Sequence, residues 1–220
     1  MLHDELKEIR DPVLRKVQDH PFWSGLRDGS LPGEALARFV QQDTGHLLPA
    51  YARALARCAA QAPDDADAAL FGQSVVGTLE AAGRLRQAYR DLSGALELPE
   101  LGEQTPADPA THAHASFFVA AGARSFYDGV GALLPMVWFN AEVSDELRRS
   151  AKPGSRYLPW IEVYHPGEGY KYAVQAFLDM ADRAGEGSPG RRRIIEQFSI
   201  SVRYEWAFAE CCLHPSPWPV

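Results

Sequence analysis

At 220 residues the chain is long enough for one substantial domain and too short for two comfortable ones, so a single domain over 1–220 is expected. Hydrophobic residues make up 46% and charged residues 23%, an ordinary globular composition that excludes wholesale disorder. A formal net charge of −7 argues against a dedicated nucleic-acid binder, because neutralising phosphate needs a basic surface.

The opening Met1-Leu2-His3-Asp4-Glu5 carries charges where a secretory signal needs an apolar run. No stretch approaches the roughly 18 uncharged apolar residues of a membrane span. The only cysteines are Cys58, Cys211 and Cys212, an odd count that builds no disulfide framework. These features together lead to the expectation of a soluble cytoplasmic protein with no membrane partner.

Helical periodicity dominates the chain. From Glu34 to Gln61 apolar residues recur three and four apart (Leu36, Phe39, Val40, Leu47, Leu48, Tyr51, Leu55), behind the start signal Ser30-Leu31-Pro32. A second long run, Asp65 to Leu92, carries Leu70, Val75, Leu79, Leu85 and Tyr89. Residues 99–109, rich in Pro, Glu and Asp, read as a loop. Further helices are expected at about 111–124, 126–151, 155–165, 168–184 and 189–213, the last opening on a basic run, Arg191-Arg192-Arg193, that reads as a solvated face. Pro49 and Pro135 fall inside helical patterns and predict kinks of the kind that wrap a pocket. With no alternating strands and hairpin turns in view, the fold class is all-α, a helical bundle.

Bundles build sites from polar side chains that point inward. Asp43 is one candidate, because Phe39, Asp43 and His46 share a helix face with core residues. Glu205 is another, in Val202-Arg203-Tyr204-Glu205-Trp206-Ala207-Phe208, where aromatic and apolar neighbours would raise a carboxyl pKa and suit a proton donor. The bland alternatives are a structural hydrogen-bond acceptor for Asp43 and an ion pair with a nearby arginine for Glu205. Trp138, Phe139, Trp160, Tyr164, Tyr204 and Trp206 are either core or the walls of a site for a planar heterocycle.

No metal and no cofactor is expected. Glu-x-x-His pairs are missing, and on a helix His112 and His114 would diverge by roughly 200°. Cys211-Cys212 has no second pair at ligand spacing. Nucleophile-elbow, phosphate-loop and dinucleotide signatures are likewise missing. Acid–base chemistry on a bound organic ring, or binding without chemistry, is what remains.

Several blocks in order resemble the TenA (thiaminase II-like) family: His20-Pro21-Phe22, Asp28-Gly29-Ser30-Leu31-Pro32, Phe39-Val40-Gln41-Gln42-Asp43, Ala132-Leu133-Leu134-Pro135 with Trp138 and Glu142, Trp160-Ile161-Glu162-Val163-Tyr164, Tyr204-Glu205 and Trp218-Pro219. The resemblance implies a haem-oxygenase-like helical fold assembled as a homo-oligomer, a tetramer or dimer. It implies salvage of thiamin breakdown products, by hydrolytic loss of an amine from an aminomethyl pyrimidine or by cleavage of thiamin. It assigns Asp43 to the aminopyrimidine, Tyr164 to the pocket wall and Glu205 to the proton of the leaving amine.

The family's nucleophilic cysteine is expected just after the Leu-Leu-Pro block, where Met136 stands, and a thioether forms no thiolate. Family pocket tyrosines are replaced by His46, His114 and Asn140. The leading expectation is therefore a cysteine-independent hydrolase of a pyrimidine-like small molecule. The alternatives are a relative with a changed substrate and a non-catalytic ligand-binding or regulatory protein.

Overall fold

The computed structural model describes residues 1–102, 105–216 and 218–219, with ten α-helices, one π-helical turn and no strand among them. The chain is thus all-α, as its periodicity requires. No helix among the described residues is long and apolar enough to cross a membrane.

Two helices precede the first one the periodicity marked. α1 (Leu2–Gln18) buries Leu2, Leu6, Leu14 and Val17 along one stripe. α2 (Pro21–Asp28) starts on Pro21, with the His20 ring accepting the Phe22 amide at 3.1 Å, and closes on Gly29 in the left-handed region at φ 86°. α2 is only eight residues long, and α1 carries Pro12 in its interior.

The single helix expected over 34–61 is in fact three elements: α3 (Gly33–Gln42), a π-helical turn (Asp43–Leu47) and α4 (Leu48–Gln61). Pro49 explains the break, since it has no amide to donate. The ladder shifts register just before it, and the Leu48 amide reaches back to the Asp43 carbonyl instead. A π turn of this kind rotates the side chains it contains relative to the flanking helix. Thr44 anchors it, donating its hydroxyl to the Val40 carbonyl at 2.6 Å and accepting Arg86 Nε at 2.7 Å.

α5 (Asp65–Leu96) is capped by Asp64, which accepts the Asp67 amide at 2.8 Å. The loop expected over 99–109 lies between α5 and α6 (Pro109–Arg124), with 103 and 104 outside the described residues. α7 (Phe126–Ser150) begins at a Ser125 cap. α8 is confined to Leu158–Tyr164, shorter than the 155–165 expected, because the chain turns through 151–157 before Pro159 lets it enter the helix. α9 (Tyr170–Ala184) and α10 (Ser188–Leu213) complete the bundle.

α7 is the central helix, and α10 lies closely along it. A Cβ on Gly131 would stand 2.4 Å from the Ile194 carbonyl oxygen and 2.9 Å from its Cα, so only glycine permits this approach. Pro135 interrupts the α7 ladder one turn later. Carbonyls beside the interruption find donors on neighbouring helices: Ser201 Oγ reaches Ala132 at 2.7 Å and the Tyr51 hydroxyl reaches Leu133 at 3.1 Å. Leu48 beside Pro49 and Met136 beside Pro135 line the same interior space.

Candidate active site

That space is a cavity of about 410 Å³, within the size range of small-molecule sites. Asp43 enters it from the π turn, Met136 and Asn140 from the kinked part of α7, Tyr164 from the end of α8 and Glu205 from α10. These five candidates converge, although they come from four separate elements. Its mouth is rimmed by polar residues of α5, among them Gln73, Glu80 and Arg84.

His46 and His114 do not line the cavity, which corrects their expected place in the pocket. The π turn carries His46 away, and its Nε2 lies 2.6 Å from the Thr105 carbonyl of the long loop. His114 is packed face to face on Tyr204 (ring centroids 4.8 Å, 11° between planes) and against Phe118 at 4.3 Å. Both of its ring nitrogens are buried without a partner, and burial holds its pKa down at about 3, so it is a neutral core ring.

The aromatic wall is built in layers. Trp160 stacks on Tyr164 at 4.9 Å, and Trp23 and Phe39 flank Tyr164 at 5.6 and 6.1 Å. Phe39 also meets Phe208, so α2, α3, α8 and α10 all contribute rings around the cavity. Trp138 packs instead against Phe198 and under the Arg10 guanidinium, outside the site, while Trp206 is turned toward solvent and the His20 ring.

The two carboxyls are the chemical centre. Burial raises Asp43 to about 7, with no charge partner to oppose it. Glu205 is raised to about 8, first by burial and then by the charge of Asp43, and its Oε1 is buried without a hydrogen bond. An ion pair with arginine, the bland reading of Glu205, is not found among the described residues. Near neutral pH the pair holds at least one proton while keeping one group ready to accept another.

Three groups here gave no signal in the sequence reading of the site: Trp23, Tyr51 and Tyr170. Tyr51 was recognised only as a stripe residue. Tyr170 is set in place by the turn between α8 and α9. There His165 Nε2 meets Asp145 at 2.8 Å and its Nδ1 accepts the Gly167 amide at 3.1 Å. The cysteines are elsewhere: Cys58, Cys211 and Cys212 are buried and none lines the cavity. Burial pushes the Cys58 thiol up to about 12, which keeps it protonated and inert. No cluster of three or more His, Cys, Asp or Glu suited to a metal ion occurs among the described residues.

Fold and cavity define an all-helical protein with a ligand-sized, acid-bearing interior. Residues 3–210 match the model of the TENA/THI-4/PQQC family, and the chain belongs to that family. The aminopyrimidine aminohydrolase of Bacillus subtilis is 29% identical over 195 residues, which are 86% of this chain and 80% of that protein. The thiamine biosynthesis multifunctional protein ThiED of Corynebacterium efficiens is 29% identical over 199 residues. That match takes in 90% of this chain but only 26% of the larger protein. In structure, the TenA homologue of P. horikoshii OT3 superimposes with a TM-score of 0.81 at 25% identity, covering 98% of this chain and all of that one.

Proposed function

We propose that the protein hydrolyses the carbon–nitrogen bond of an aminomethyl-bearing aminopyrimidine, releasing the amine without a cysteine nucleophile. One observation carries this reading: the buried Asp43 and the half-buried Glu205, both raised toward neutrality, share an aromatic-walled cavity whose remaining candidate nucleophile position is a thioether, Met136. The relationship to an aminopyrimidine aminohydrolase supports the substrate class.

In this reading the aromatic rings hold the planar heterocycle and Asp43 accepts a hydrogen bond from its amino group. Glu205 starts protonated. As the ring amino group gives a proton to Asp43, the C–N bond breaks and its electron pair stays on the departing nitrogen, which takes the Glu205 proton. Water then adds to the exposed methylene carbon and gives its proton to Glu205, while Asp43 returns its own to the amino nitrogen on the ring. The sum is amine plus water to alcohol plus ammonia, with both carboxyls restored. A single residue serving first as acid and then as base needs a pKa near the working pH, which burial and Asp43 together provide.

The test is ammonia release from a panel of 5-aminomethyl-4-aminopyrimidines by the wild type and by Glu205→Gln. Turnover abolished by the substitution supports the reading. A wild type inactive on the whole panel overturns it.

A further inference from the structure

The Asp43 carboxyl makes no hydrogen bond among the described residues, and burial alone raises it. With no partner to hold its oxygens, its place in the cavity follows from the backbone beneath it. That backbone is the π turn (Asp43–Leu47), an element that is rare inside helices and concentrates at functional sites.

The turn is pinned from two sides. On one, Arg86 of α5 donates Nε to the Thr44 hydroxyl at 2.7 Å and lies over Gly45, where a Cβ would stand 3.3 Å from its Nη2. On the other, two side chains that flank Asp43 reach the same short stretch of loop ahead of α6. Gln42, fully buried, donates Nε2 to the Pro106 carbonyl at 2.9 Å and accepts the Asp108 amide on Oε1 at 2.9 Å. His46 Nε2 stands 2.6 Å from the Thr105 carbonyl, and because a carbonyl only accepts, that nitrogen carries the proton and donates. Residues 42 and 46 are thus both tied to 105–108, with Asp43 between the two anchors. Neither Gln42 nor His46 lines the cavity itself.

We propose that Gln42 and His46 are positioning residues: by latching the π turn to residues 105–108 they fix the direction in which Asp43 enters the cavity. The proposal rests on the hydrolytic reading for the use made of Asp43, and adds which groups keep that carboxyl in place. A group that takes a proton from one nitrogen and later returns it must stay within hydrogen-bond reach throughout, and misplacement by an ångström costs about a hundredfold. The plainer role for the latch is to satisfy backbone groups of the loop, which would affect stability alone.

Two readouts separate these roles. The first needs no substrate: the Asp43 midpoint, followed by carboxyl NMR. Released from its anchors, the turn lets the carboxyl meet water, so the midpoint should fall from about 7 toward 3.8 in Gln42→Met and in His46→Leu. The second is ammonia release, whose kcat/KM should drop at least about tenfold in both variants. His46→Gln keeps a donor at similar reach and should restore the midpoint, with kcat/KM within about threefold of the wild type. His46 is half-buried, so its two variants decide the matter even if Gln42→Met does not fold. In His46→Leu, an unchanged Asp43 midpoint or an unchanged kcat/KM overturns the assignment, whatever happens to the melting temperature. So does a His46→Gln that behaves like His46→Leu. A wild type that releases no ammonia removes the hydrolytic reading, and the Asp43 midpoint then still decides the latch.

Discussion

Asp43 and Glu205, from opposite ends of the chain, meet in one cavity, and the charge of Asp43 adds to burial in raising Glu205 to about 8. The weaker acid is therefore Glu205, and Asp43 at about 7 is the first to give up its proton. The proposed reaction uses the pair in that state, Asp43 charged and Glu205 neutral. Turnover should trace a bell, rising through about 7 and falling through about 8, with both limbs belonging to the coupled pair. A kcat/KM profile over pH 5–10 checks this. Asp43→Asn removes the acceptor for the ring amino proton and should abolish turnover; by taking its charge from beside Glu205 it should also lower the Glu205 midpoint followed by carboxyl NMR, and a midpoint that stays put would break the link between the two residues.

The same shifts fix a stability trend. A carboxyl whose folded pKa lies above its unfolded value binds its proton more tightly in the native state, so stability is present at low pH and lost as pH rises through the interval between the two values. For Asp43 that interval runs from 3.8 to about 7, and for Glu205 from 4.5 to about 8. Glu205→Gln cannot ionise. It should melt above the wild type at pH 9 by at least about 2 °C, the change that 1 kcal/mol brings in a domain of this size. The advantage should shrink toward pH 5. Melting curves at the two pH values decide it.

Met136 supplies a direct test of the cavity wall. It lines the space that Asp43 and Glu205 share, whereas the three native cysteines are buried away from it. Met136→Cys should therefore take up iodoacetamide on one site, seen as a single added mass, while the wild type remains unlabelled. An aminopyrimidine that occupies the cavity should protect the new thiol. A variant labelled no faster than the wild type would place position 136 out of reach of the ligand.

Much of this site was legible because carboxylates stand out in an apolar stripe. Asp43 sits on the Phe39 face of its helix, and Glu205 among aromatic neighbours; both do face the cavity. What failed is instructive. The spacing that puts His46 on one face with Phe39 and Asp43, like the resemblance that puts it in the pocket, assumes an uninterrupted α-helix across Asp43–Leu47. The π turn ahead of Pro49 changes the register, so His46 ends on the loop carbonyl of Thr105. Tyr170 was invisible for a different reason. It follows a Pro-Gly-Glu-Gly connection at the first position of α9, where no preceding run of helical spacing shows which way it faces.

His114 should matter to stability and not to chemistry. Its buried imidazole, with two unpartnered nitrogens and a pKa of about 3, stays neutral in the folded protein, whereas the unfolded chain takes a proton near 6.5. A depressed histidine pKa makes the folded state progressively less stable as pH falls below 6.5. His114→Leu removes that penalty. Its melting temperature relative to the wild type should climb between pH 7.5 and pH 5, with catalytic constants unchanged within about twofold. A constant offset across that range would show that His114 is protonated in the folded state.

Gly131 ties packing to the reaction. It lets α7 and α10 approach so closely that the Ile194 carbonyl oxygen would lie 2.4 Å from an added Cβ, and the obstacle is backbone, which cannot swing aside. Gly131→Ala must therefore push the two helices apart. Such overpacking costs about 1–3 kcal/mol. More specifically, α10 carries Glu205 and α7 carries Met136 and Asn140, so separating them moves the acid away from the wall that faces it. Ser201→Ala is the matched control: it deletes a hydrogen bond to Ala132 in the same helix contact, worth about 1 kcal/mol, without forcing displacement. Gly131→Ala should lose turnover by at least about tenfold, as misplacement of a reacting group by an ångström does, while Ser201→Ala should lose stability alone. Comparing kcat with melting temperature for the two variants separates helix spacing from helix stability as the quantity that the active site depends on.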